Sequence, residues 1–301
     1  GCLAQGLSVG QTVAPNPAEQ YNGLIGGNPN LLPETADTYT VGAVLTPTFI
    51  PGLAVSVDYF NIKIEDAIQG IGADTIVAAC TATADPEFCS LVNRDASGSL
   101  WRSSGGFIRN LSQNIGGLST SGVDVNASYR TEIGNAGRLS LSFVGTWLES
   151  LETDTGVSIP DTDQTYDCVG LYGNTCLSPT PEWRHQARVS FDTPGGIGAS
   201  VRWRYFDGVT LDGLEENTNF SGAPSRPGND SFDSISYFDV SFNWEVGDNY
   251  NFRLGANNVL DKAPPTTGSQ ACPAGPCNGN TFAQVYDALG RYIYAGVTLD
   301  F

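Results

Sequence analysis

The feature that most constrains this chain is the strict alternation of short and long links between segments whose hydrophobicity repeats every second residue. Period-two patterning puts residues i, i+2 and i+4 on one face of a strand. It predicts strands at 38–46, 53–64, 107–131 (kinked at Gly116-Gly117), 138–148, 182–191, 200–205, 238–245, 251–257 and 291–301. The links at 47–52, 132–137, 192–196 and 247–249 are short, and those at 65–106, 149–181, 207–235 and 259–290 are long. A soluble sandwich also alternates apolar with polar residues. Tight turns at one end with extended loops at the other are instead the asymmetry of a membrane β-barrel.

No segment approaches the roughly 20 apolar residues that a membrane-spanning helix needs. In lipid the remaining solution is a barrel, because only helices and closed barrels satisfy every backbone polar group there. With 36 Gly, 17 Pro and 15% charged residues, the composition suits a large all-β domain. One face of each segment is apolar, as with Leu53, Val55, Val57 and Tyr59, or Phe238, Val240, Phe242 and Trp244. The alternate positions carry groups such as Ser56 and Asp58, or Asp239, Ser241 and Asn243. The expected fold is therefore an antiparallel transmembrane β-barrel. The 14 basic residues stand against 32 acidic ones, a net charge of -18, which repels phosphate backbones and argues against nucleic acid as a partner.

Seven cysteines point to an oxidising compartment, and six of them lie in close pairs: Cys80 with Cys89, Cys168 with Cys176, and Cys272 with Cys277. Each pair falls inside a long link and is expected to staple it locally. Cys2 is left over, with a partner expected upstream. Because the chain has one histidine and no paired CxxC spacing, no metal site is expected. A serine-type triad would have to use that histidine, His185, which strand parity puts beside Trp183 on the apolar face. Catalysis and a cofactor are not expected, since Gly23, Gly26, Gly27 and Gly70-Ile71-Gly72 also lack the strand-to-helix context of a phosphate loop. The acidic run Asp161, Asp163 and Asp167 lacks the glycine and terminal Glu of a calcium loop and reads as solvated surface.

The polar face concentrates arginines. A regular hairpin over 192–196 would set Arg184 opposite Arg204 and Arg188 near Ser200, with Arg202 beside them. These four are the candidate lumen or ligand-guiding residues for an anionic ligand; the alternative is that they hydrate the lumen or pair with carboxylates of another part of the protein.

Several landmarks resemble those of TonB-dependent outer-membrane receptors, in that family's order along nearly the whole chain. They are Gly27-Asn28-Pro29-Asn30-Leu31-Leu32-Pro33-Glu34 followed by Asp37 to Gly42, then Val57-Asp58-Tyr59-Phe60 and Thr120-Ser121-Gly122-Val123-Asp124. Asn257-Asn258-Val259-Leu260-Asp261-Lys262 and Tyr286-Asp287-x-x-Gly290-Arg291 close the series. The ending Tyr294-x-Gly296-x-x-Leu299-x-Phe301 is similar to the assembly signal of outer-membrane barrels. The resemblance implies a wall of roughly 22 strands around an N-terminal plug. Nine strands without a plug therefore read as a C-terminal fragment covering residues 1–301, and the absence of methionine and of a leader fits a mature or truncated piece.

The implied function is active uptake of a scarce nutrient, a ferric siderophore, cobalamin or oligosaccharide, rather than an enzymatic reaction. A passive porin-like barrel or a surface adhesin is the alternative. The implied partners are outer-membrane lipid, the plug domain and TonB complex, the barrel assembly machinery and a small-molecule or oligosaccharide ligand. The implied location is the outer membrane of a Gram-negative bacterium, with long loops outside and the C-terminus periplasmic.

Overall fold

The computed structural model describes residues 3–13, 16, 21–220, 230–247, 249–268 and 271–299. The expectations for Cys2 and Phe301 fall outside these described residues. Nine strands form one antiparallel wall: β1 Thr35–Leu45, β2 Leu53–Glu65, β3 Gly117–Ile133, β4 Gly137–Asp154, β5 Trp183–Asp192, β6 Ile197–Phe206, β7 Ile235–Val246, β8 Tyr250–Asn257 and β9 Tyr292–Leu299. They lie side by side in chain order, and β1 and β9 are the two edges. Each strand pairs with the next across a short turn or a long loop, the simplest connectivity an antiparallel sheet can have.

Register places the apolar positions in continuous rows. Val41, Tyr59, Val123, Trp147 and Trp183 are successive cross-strand neighbours, and Leu141, Val189, Val201 and Val240 form another row. Many of these side chains are exposed, including Val41, Trp147, Val189, Val201, Trp203, Phe242 and Leu254, so the apolar face covers no protein core. Aromatic rings gather at its two ends. Tyr59, Trp147, Trp183, Trp203, Tyr205 and Phe238 lie towards the long loops, and Tyr129, Trp244, Tyr250 and Phe252 towards the short turns. This is the girdle pattern of a membrane barrel. Strands β3 and β4 have 17 and 18 residues, more than the roughly 9–11 that cross a bilayer. Beyond a bulge at Ser121/Gly122 their outward row becomes Lys63, Ser119, Glu152 and Asp167, which marks where the apolar band stops.

Strand glycines make room for neighbouring side chains. A Cβ on Gly255 would lie 2.4 Å from the Tyr294 ring, and one on Gly145 2.6 Å from Trp183. Tyr294 thereby covers the backbone of β8 from the polar side, a pairing that stiffens a glycine position.

Two sequence expectations change. The segment 107–131 is not one kinked strand. Residues Phe107–Leu111 leave the wall and pair in parallel with Gly23–Gly26 and antiparallel with Val92–Asn93, and β3 starts only at Gly117. The break comes at Gly116, whose φ of +71° and close approach to the Asp154 carbonyl admit glycine alone. The second change is the presence of helices α1 Ala73–Thr83 and α2 Pro86–Cys89 inside the first long loop.

The buried cores lie in the loops. Loop A (66–116) packs Ile76, Cys80, Cys89, Val92, Leu100 and Ile108 together. Loops B (155–182), C (207–234) and D (258–291) share a second core of Tyr172, Val209, Leu211, Phe232, Phe282 and Tyr286. Burial pushes the Tyr172 and Tyr286 phenols above their ordinary pKa. All three cysteine pairs are bonded, with S–S distances of 1.97, 2.07 and 2.07 Å for Cys80–Cys89, Cys168–Cys176 and Cys272–Cys277. None joins one loop to another.

Candidate functional site

The polar face of β5, β6 and β7 carries the candidate arginines, and their true register differs from a regular 192–196 hairpin by two residues. The last pair before the turn is Asp192 with Gly198, so Arg188 faces Arg202, Gln186 faces Arg204 and Arg184 faces Phe206. The turn closes one residue later than expected because the Thr193 amide donates to the Ile197 carbonyl at 2.8 Å and Gly196 takes a φ of +76°. A shift of two leaves every side chain on its original face.

The four arginines divide into two classes. Arg202 and Arg204 converge on the buried Asp239 of the neighbouring strand. Arg202 Nε donates to Asp239 Oδ2 at 2.8 Å, and Arg204 donates from Nε to Oδ2 at 2.9 Å and from Nη2 to Oδ1 at 3.0 Å. Arg204 also grips Asp287 of loop D, through Nη1 at 2.9 Å and Nη2 at 2.6 Å, and lies over the Tyr237 ring at 5.0 Å. The Asn258 amide donates the remaining bond to Asp239 Oδ1 at 2.8 Å. Two guanidinium groups thus meet two carboxylates, and the charge expected on the wall here is cancelled within the chain. Arg184 and Arg188 are exposed and have no ion pair among the described residues.

This network gives the final sequence landmarks a physical role. Buried Asn258 exchanges hydrogen bonds with the Lys262 backbone, and Asp261 accepts from the Arg291 amide at 2.9 Å. The segments 257–262 and 286–291 therefore join the start and end of loop D to the rim of the wall.

Sequence reasoning missed several groups. Arg253 lines a cavity of about 560 Å³ with Ser241, Asn243, Asn251, Tyr294 and Gly296. Its odd-numbered parity with Asn251 on β8 was the available signal. Asp58 and Asp124 are direct cross-strand partners, a like-charge pair relieved only in part by the Thr146 hydroxyl, which donates to Asp124 at 2.7 Å. Asp239 and Asp287 lie 35 and 83 residues from Arg204, too far for any local pattern.

The remaining expectations concern chemistry. His185 accepts from the Trp183 indole at 2.8 Å and packs against Phe143, Trp203 and Tyr205 at ring distances of 5.3, 4.5 and 5.2 Å. It is an aromatic-girdle residue with no nucleophile or carboxylate among its described contacts. Asp163 and Asp167 accept from backbone amides, Asp163 from Thr218 of loop C and Asp167 from Leu151 of β4 and Val169 of loop B. No group of three metal-ligating side chains occurs among the described residues. Tyr294 and Gly296 lie on the polar face of β9 and Leu299 on its apolar face.

Comparison with known proteins places this wall. A search of curated proteins finds no match. Among solved structures, the FrpB iron transporter of Neisseria meningitidis is similar over 93% of this chain and 33% of its own, with 19% identity and a TM-score of 0.54. The ferric enterobactin receptor PfeA of Pseudomonas aeruginosa, in a mutant form, is similar over 92% and 32%, with 13% identity and a TM-score of 0.57. The siderophore receptor PirA of Acinetobacter baumannii is similar over 92% and 33%, with 15% identity and a TM-score of 0.54. At these identities the likeness is one of fold, and the chain spans about a third of each of these proteins. The family model described as TonB dependent receptor-like, beta-barrel matches residues 5–259, and the chain belongs to that family.

Proposed function

We propose that this chain is the C-terminal part of the barrel of an outer-membrane receptor that imports a scarce nutrient with energy delivered through TonB. On this reading the apolar face meets lipid, the polar face lines the lumen, the long loops face the exterior and the C-terminus is periplasmic. A plug and the earlier strands would come from sequence upstream. The observation that carries the reading is the family match over residues 5–259 on a wall whose girdled apolar face and polar reverse suit a membrane barrel.

The ligand is expected to be anionic. Arg184 and Arg188 keep their charge free on the polar wall, whereas the neighbouring Arg202 and Arg204 are neutralised by Asp239 and Asp287. Guanidinium groups suit carboxylate, catecholate and phosphate recognition. Iron, ferric enterobactin and siderophores in the relatives' names make a ferric chelate the first ligand to test, ahead of cobalamin and oligosaccharides. No enzymatic step enters this reading.

A deletion strain carrying the full-length gene on a plasmid tests the proposal. Growth should require the gene and TonB on one ferric chelate as the iron source. Uptake that persists without TonB would turn the assignment to a passive barrel, and no growth difference on any chelate, cobalamin or oligosaccharide would remove the transport reading.

A further inference from the structure

Long loops on a barrel rim are ordinarily free to move separately, because each hangs from its own hairpin. Loops B, C and D depart from that expectation at three levels. The backbones of loops B and C share a sheet: Leu171–Tyr172 of loop B pairs in parallel with Val209–Leu211 of loop C, which pairs with Ser231–Phe232. The Thr210 amide donates to the Gly170 carbonyl at 2.8 Å.

Their side chains then interlock. The buried Asp212 of loop C accepts from the Thr175 and Cys176 amides of loop B at 2.8 and 2.9 Å. Asp163 accepts from the Thr218 amide at 2.8 Å, and the Thr218 hydroxyl receives the Asp163 amide at 2.6 Å. Loop D joins through Phe282, whose ring meets Tyr172 at 5.9 Å and Phe232 at 6.1 Å, and through Gln284, which donates to Ser178 at 3.0 Å.

The assembly is also bolted to the wall. Arg204 holds Asp287 at two points, and the Asp287 amide donates to the Tyr237 hydroxyl at 3.3 Å. Tyr286, the preceding residue, is buried in the shared core.

We propose that the described residues of loops B, C and D form one preformed cap that stays assembled while ligand binds and passes, so that these residues move as one body rather than as separate lids. The inference rests on the receptor reading, because it assigns the cap a role in ligand passage. Separating loops B and C would break a sheet, a buried carboxylate contact and an aromatic stack at once, and separating loop D from either would open the aromatic core. Motion that admits ligand is therefore left to parts of the receptor outside this cap, among which loop A, the next long loop along the wall, has its own separate core.

Two measurements test this on the full-length receptor. In the first, the pairs Asp163→Cys with Thr218→Cys and Ser178→Cys with Gln284→Cys are bridged by a short bis-maleimide on cells. Uptake of ferric enterobactin, cobalamin and a maltooligosaccharide is then compared with single-cysteine parents given the same reagent. Whichever of these the unmodified receptor takes up should enter the bridged receptor within about twofold of the parents, and a loss of tenfold or more would overturn the cap as a fixed body. In the second, hydrogen exchange is followed on purified protein without ligand. The amides of Thr175, Cys176, Thr210 and Leu211 should exchange as one unit, about 100-fold slower than those of an unstructured loop. Gly173→Ala should release all four together, since its Cβ would fall 2.0 Å from Asp212 Oδ1.

Independent exchange of loops B and C would refute the cap whatever the receptor carries. Failure of the unmodified receptor to take up any of the three compounds, with concerted exchange intact, would count against the transport reading and leave the cap standing.

Discussion

Replacing Asp239 with Asn isolates the electrostatic network on the polar wall. An amide keeps one acceptor. Held with its oxygen towards the Asn258 amide and Arg204 Nη2, it turns an NH₂ group towards the positions that Arg202 Nε, Arg202 Nη2 and Arg204 Nε now occupy, at 2.8, 2.8 and 2.9 Å. Hydrogen bonds to a charged group contribute about 1.5–3 kcal/mol each. Here they are not additive, because the Arg202 side chain is 30% exposed and recovers part of its hydration, while Arg204 keeps Asp287. The expected loss is about 3 kcal/mol, or roughly a hundredfold in the folding equilibrium. Arg202→Ala should cost only about 1 kcal/mol, since it leaves Asp239 still held by Arg204 and Asn258. Urea unfolding of the full-length barrel in detergent, followed by tryptophan fluorescence, measures both. Equal losses, or a larger loss for Arg202→Ala, would refute the view that Asp239 is the hub.

Four further outcomes are expected. Cys168→Ser with Cys176→Ser should speed proteolysis within loop B and lower its local stability by about 2–3 kcal/mol, while the wall keeps its heat resistance; non-reducing peptide maps of the native protein should recover the three pairs without crossing between loops. Gly255→Val should reduce the heat-resistant barrel by colliding with Tyr294, and adding Tyr294→Ser should restore part of it; no rescue would show that the glycine acts through backbone conformation alone. The Asp95 carboxyl is held down to about 2 by the Ser97 hydroxyl, the Ser99 amide and the Ser103 hydroxyl. Because its folded value lies below the ordinary 3.8, its contribution to the 95–103 turn is present above that value and lost as pH falls towards 2, which exchange of the Ser97 and Ser99 amides would register. Deleting Phe301 should lower the amount inserted in the outer membrane without changing ligand binding by the inserted molecules; normal levels would make the terminal match coincidental.

The wall was legible because its period is dictated twice, by the pleat and by the contrast between its two faces. Trp203 and Val201 against Arg202 and Arg204 fix the face of β6 whatever the register, so the apolar and polar faces follow from sequence alone. Register needs the turn, and the placement of Gly196 rather than any strand residue decided it. The loops were opaque because their order comes from contacts with no period: Tyr172, Phe232 and Phe282 meet across three separate links. Local signals did exist in loop A, where Asp85 caps α2 through the Glu87 amide and Pro86 occupies its first turn, a helix start visible in sequence. The candidate site was half legible. The arginines stand out by parity, but the carboxylates that neutralise two of them come from a neighbouring strand and a distant loop.

The disulfides, with separations of 9, 8 and 5 residues, each close within a single connection. Oxidation can therefore finish on a chain that is still unfolded, without tying any hairpin to another. Strands can be added to a growing sheet one pair at a time, each carrying an already oxidised loop. A covalent link between loops B and D would have closed β5 through β8 into one cross-linked bundle. The shared loop core, which draws on residues from Tyr172 to Tyr286, supplies that connection without a bond and only after the last hairpin has arrived. Among the described residues covalent cross-linking is confined to short range, and long-range cohesion is left to contacts that form reversibly and late.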